Sequence, residues 1–226
     1  GPQPYLTMSH RPSRLLFACL SLVAVSARAE FSAVCKVVTG SGAAAYEVRT
    51  WGSPQAFVAN TGGVILGTRP QTVAMESFTV SPNGDLYSVQ VAGWDPSKYE
   101  IYRYRDAYDF VNNNNTIIGV NSTAGVLAGV TFDASGQFYA VQDVTVGGGS
   151  RSYLVKRWAS ITDFVYDTNP TTLGTRTNSG VQTGIEFIDG RLCSIEEKTG
   201  GGVLSYEVWD WGTSFAGFIS KTGTKT

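Results

Sequence analysis

The side chains in this 226-residue chain best suited to chemistry are carboxylates. Glu76, Glu186, Glu196 and Asp143 stand at related places in a recurring pattern. Acids and amide oxygens converging on one point hold a hard cation such as Ca2+. Two facing carboxylates are the machinery of glycoside hydrolysis. No spacing in the sequence fixes two of these four acids together, and no residue is assigned as catalytic. No cofactor is expected beyond a divalent cation of that kind. The single histidine, His10, lies near the N-terminus in a segment with the character of a leader. The rest of the chain therefore excludes Ser-His-Asp and Cys-His catalysis and the usual histidine-rich zinc and iron sites. The glycine-rich runs from Val146 and Thr199 lack a P-loop lysine and a following helix, so they exclude phosphate binding of that type.

Residues 1–7 have the look of a tag or upstream scar, and residues 8–29 of a signal peptide. Arg11 and Arg14 precede an apolar run from Leu15 to Val25, and Ala27-Arg28-Ala29 offers the small-x-small cleavage pattern. The run is too short to span a bilayer, which takes roughly 20 apolar residues. The expected product is residues 30–226, secreted, periplasmic or at the cell surface, with no membrane span. It carries 14 Lys and Arg against 18 Asp and Glu, a net charge of −4. That balance argues against a nucleic-acid partner, because phosphate binding needs a basic surface. Cys35 and Cys193 remain after the leader. Export permits a disulfide between them, and two free buried thiols are the equal alternative.

The positioning elements repeat. "YEVRTW" at Tyr46 returns as "YEIYRY" at Tyr99, "YLVKRW" at Tyr153 and "YEVWDW" at Tyr206, a period of about 53 residues. Before three of the copies comes a hairpin signature, "SFTVSPNGDLYSVQ", "GVTFDASGQFYAVQ" or "GIEFIDGRLCSIEE". Each turns on Asn83-Gly84, Ser135-Gly136 or Asp189-Gly190, which supply the positive φ that tight hairpins need. A fourth strand is expected around "QAFVAN", "YDFVNN" and "TDFVYD". A connector with Gly67, Gly119 or Gly174 follows. Four strands per unit of this length predict an all-β fold, a β-propeller. Trp51, Tyr104, Trp158 and Trp211 share one position, where aromatics fill the core between blades; exposed, they would stack on sugar rings. Trp51 and Trp158 thus join the four acids as candidate ligand-binding residues. Asn112 to Asn115 is expected as a polar turn; the sequons at Asn114 and Asn121 matter only in a eukaryotic secretory host.

The hairpin, similar to F-x-x-x-G-x-L/F-Y-x-V, resembles the blades of secreted propellers of the NHL and SMP-30/gluconolactonase-like type. That resemblance implies a channel-centred ligand site and, for the lactonases, a divalent metal held by acids. Whole blades are expected at 77–111, 129–165 and 184–219, with a partial one at about 31–60 that lacks its innermost strand. Two readings fit: a four-bladed ring, or, as favoured, a truncated part of a larger ring. The expected function is a non-catalytic exported module binding glycan or protein through its loops. The alternatives are a metal-dependent lactonase or related hydrolase, and a structural cell-surface segment.

Overall fold

A computed structural model of the protein describes residues 21–23, 31–38, 44–70, 75–200 and 202–226. Four antiparallel sheets of four strands stand in a ring, a four-bladed β-propeller. Blade 1 holds β1 (Ser21–Val23), β2 (Phe31–Val38), β3 (Ala44–Trp51) and β4 (Val64–Pro70). Blade 2 holds β5 (Met75–Val80), β6 (Leu86–Ala92), β7 (Asp95–Tyr104) and β8 (Thr116–Asn121). Blade 3 holds β9 (Val126–Phe132), β10 (Phe138–Asp143), β11 (Arg151–Trp158) and β12 (Thr171–Ser179). Blade 4 holds β13 (Val181–Ile188), β14 (Arg191–Gly200), β15 (Val203–Asp210) and β16 (Thr224–Lys225).

The ring is closed, against the favoured expectation of a partial one. Strand β1 pairs with β2, Val23 opposite Ser32, and lies beside β5 on one flank and β13 on the other. The innermost strand thought absent from blade 1 therefore comes from the apolar run assigned to the leader. The remainder of residues 1–30 lies outside the described residues.

The expected fourth strands are helices. They are α1 (Pro54–Val58), α2 (Ala107–Val111), α3 (Ile161–Val165) and α4 (Phe215–Ser220). The outermost strand is instead the connector one step later. Each helix starts on a side-chain cap, from Ser53, Asp106, Ser160 or Ser214, which accepts a hydrogen bond from a first-turn backbone N–H. Past α2, Asn113 takes a left-handed φ of 58°, so the asparagine run supplies a helix terminus.

These helices lock the blades. Phe57, Phe110, Phe164 and Phe218 meet Trp51, Tyr104, Trp158 and Trp211 edge to face, with centroids 4.9, 5.2, 5.0 and 5.6 Å apart. Helices α2, α3 and α4 also rest on the outer strand of the blade before, β4, β8 and β12, and α1 rests on β15 of blade 4. A Cβ on Gly67 would sit 2.6 Å from Val111 of α2, and one on Gly174 would sit 3.1 Å from Ile219 of α4. Tyrosines of the recurring strand join blades at the core: Tyr46 accepts from the N–H of Met75 and Tyr153 from that of Gln182, each at 2.9 Å. The repetition of that strand is thus explained by one packing task performed in every blade.

Candidate functional site

The hairpin turns of blades 2, 3 and 4 gather at one mouth of the channel around a cavity of about 740 Å³. Its lining runs from the innermost strands out to Leu173 of β12. Phe132, Phe187 and Phe215 supply apolar faces, and Ser81, Ser135, Thr213 and Ser214 supply hydroxyls. Three ionisable side chains of carboxylate or guanidinium type line it: Glu186, Asp133 and Arg157.

Glu186 projects from β13 and is 1% exposed. Its Oε1 accepts from the Thr79 hydroxyl at 2.9 Å and from the Val80 N–H at 3.4 Å, both on the opposite blade. The carboxyl thus reaches across the channel axis. Thr79 and Thr131 occupy the equivalent repeat position and serve shorter links, accepting from the N–H groups of Phe132 and Phe187 at 3.3 and 3.0 Å. Oε2 of Glu186 is buried and has no hydrogen-bond partner among the described residues. Burial raises the acid well above the ordinary carboxylate range and outweighs the lowering effect of Thr79, the Val80 N–H and the Thr131 hydroxyl. The carboxyl therefore keeps its proton to a higher pH than an ordinary carboxylic acid.

Asp133 opens the blade 3 hairpin turn. Its Oδ1 accepts from the Ser135 N–H and hydroxyl and from the Gln137 N–H, at 2.9, 2.7 and 3.0 Å. Its Oδ2 accepts from the Tyr139 hydroxyl at 2.9 Å. Burial pushes this acid upward, but the hydrogen bonds together prevail and hold it below the usual range. Tyr139 is raised to about 12 by burial and by its bond to Asp133. One cavity thus holds two carboxyls pushed in opposite directions, an arrangement that acid–base chemistry uses.

The other sequence candidates lie elsewhere. Glu76 sits in the β5 bulge, where the register slips between Met75 and Ser77, at the far end of the strand from the cavity. Glu196 is 4% exposed and is the counterion of Arg176, at 3.6 Å. It also accepts from Gln182 Nε2 at 2.9 Å and pairs with Lys198. Asp143 pairs with Arg151 at 3.0 Å and accepts from the Thr145 N–H. Trp51 and Trp158 are each 1% exposed, so neither face is open to a sugar ring. Cys35 and Cys193 are free thiols, both raised to about 12, chiefly by burial. Among the described residues no group of three or more His, Cys, Asp or Glu side chains is arranged to hold a metal ion. Of the expected set, only Glu186 reaches the cavity. Asp133, Tyr139 and Arg157 were missed. Asp133 carries the signal of a turn former, and nothing in its local sequence marks it as facing a cavity built from three blades.

No protein-family model matches the sequence, and no curated protein matches it. Solved structures do. An exo-β-1,3-galactanase from Phanerochaete chrysosporium, crystallised with galactose, superposes with a TM-score of 0.50 at 11% identity, over 84% of this chain and 44% of the other. A GH43_12 protein from a capybara gut metagenome gives 0.49 at 11% identity, over 88% and 40%. This chain thus spans less than half the length of either neighbour. At such identity the likeness shows the propeller fold alone. It does not single out the NHL or SMP-30 type. The expectation of a non-catalytic binding module, with its lactonase and structural alternatives, is corrected here: the neighbour at a TM-score of 0.50 is an exo-β-1,3-galactanase, an enzyme built on this fold.

Proposed function

We propose that the protein hydrolyses a glycan bound in the cavity at the hairpin-turn mouth of the channel. The observation that carries the reading is a pair of carboxyls lining one cavity, Glu186 pushed upward by burial and Asp133 held below the usual range by its hydrogen bonds. Glycoside cleavage needs such a pair: an acid to protonate the leaving oxygen and a carboxylate to activate water or attack the sugar. Glu186 supplies the proton from Oε2. Asp133 keeps acceptor capacity on Oδ2, which takes a single hydrogen bond, from Tyr139. The phenyl faces and hydroxyls around them suit the apolar faces and hydroxyl edges of sugar rings. The fold, shared with the galactanase, supports this reading without fixing a linkage.

The test is turnover of a panel of galacto-, arabino-, xylo- and uronate-containing oligosaccharides and their aryl glycosides by the purified protein and by Glu186→Gln. The expected result is hydrolysis of at least one member by the wild type, lowered about 100-fold or more in kcat by the substitution, with KM little changed. Unchanged turnover in Glu186→Gln, or none by the wild type on any member, removes the proposal.

A further inference from the structure

The three complete hairpins treat one cross-strand position differently. In blade 2, Asp85 before β6 pairs diagonally with Arg103 of β7, Nε to Oδ2 at 3.9 Å. In blade 4 the same two positions hold Arg191 and Asp210, the signs exchanged, at 2.6 Å. In blade 3 they hold Gln137 and Arg157. Glutamine brings no charge, so Arg157 forms no ion pair among the described residues. It is half-buried on β11, opposite Tyr139, and lines the cavity.

A guanidinium kept partly out of water without a counterion is costly unless something supplies the anion. The other charges of the cavity do not. Glu186 is spent on the Thr79 and Val80 tie across the channel, and burial favours its uncharged form. Asp133 makes no ion pair with it among the described residues; the Tyr139 hydroxyl, which donates to Asp133 Oδ2, stands beside both groups. Hydroxyls of Ser135 and Ser214 share the lining and add donors for oxygen. The negative charge that shares the cavity is that of Asp133, offset by the four hydrogen bonds it accepts from Ser135, Gln137 and Tyr139.

We propose that Arg157 makes the cavity selective for an anionic sugar, a unit carrying a carboxylate as in a uronic acid, which the guanidinium grips through both oxygens. A planar fork matches a carboxylate bidentately, whereas a sulfate ester is met with different geometry. The inference rests on the glycan reading above but not on hydrolysis.

The test is calorimetric binding of galacturonate and glucuronate oligosaccharides, their uncharged methyl esters, and sulfated galacto-oligosaccharides. The proteins are the wild type, Arg157→Gln and Gln137→Asp. The last recreates the blade 2 pair and so places a folding-compatible counterion beside Arg157. The wild type should bind one of the free acids about 10-fold or more tighter than its methyl ester, and less so as salt rises. In both variants that ratio should fall to about one, with melting temperatures close to the wild type. Equal binding of acid and ester by the wild type, or a ratio that survives both variants, overturns the inference while leaving the glycan reading intact. A preference for sulfated over carboxylated ligands overturns the assignment to uronates. Binding of acids without turnover keeps this inference and removes only hydrolysis. Binding of no sugar of any charge removes both.

Discussion

At the scale of single residues, Glu186 has a consequence for stability as well as chemistry. An acid whose value is raised on folding binds its proton more tightly in the native state than in the unfolded chain. Its contribution to stability is complete below the ordinary carboxylate value. It is lost as pH rises from there through the native value, because ionising the native carboxyl costs more than ionising the unfolded one. Glu186→Gln removes this term. Chemical denaturation of both proteins from pH 4 to 9 should show the variant gaining on the wild type as pH climbs, with the curves closest at the acid end. A constant offset across that range would contradict the assignment. Glu186 was legible in the sequence because it interrupts a column of threonines, Thr79 and Thr131. Glu196 interrupts a column too, Gln90 and Gln142, yet it serves Arg176. A break in the repeat marks a residue with its own task, and only the neighbours brought by folding say which task.

At the scale of elements, the hairpins were legible because their turns depend on local chemistry: Gly84, Gly136 and Gly190 all take positive φ. The helices were not, because a five-residue helix has no room for a 3.6-residue apolar period and shows one buried Phe that an edge strand would also show. The overlooked signal was the cap. Ser160 followed by Asp163, and Asp106 followed by Asp109, put a capping oxygen and a first-turn acid at the spacing that starts a helix. Ser160→Ala should therefore cost about 1 kcal/mol. Gly67→Ala should cost about 1–3 kcal/mol, because the new methyl meets Val111 of the next blade rather than solvent. Urea denaturation checks both, and an unchanged midpoint for Gly67→Ala would show that helix α2 does not bear on β4.

For the whole molecule, the period predicted sheets around an axis, and that is the architecture found. The blade count was harder to read because the closing strand is three residues long and lies in a run whose composition also suits a leader. The two roles separate by deletion. A protein beginning at Glu30 lacks β1, exposes the inner edge of β2 and parts β5 from β13, which flank that strand. It should melt well below the full chain and associate at lower concentration, as light scattering and a thermal scan would record. Equal melting temperatures would mean that the ring stands without its first strand.

The tie that Glu186 throws from blade 4 to Thr79 and Val80 of blade 2 joins two sheets on opposite sides of the ring. Whatever enters the mouth and draws that carboxyl toward itself must slacken a brace spanning the disc. Occupancy and rigidity are consequently coupled: a guest that leaves the brace in place stiffens the ring, and one that recruits the carboxyl lets opposite halves breathe.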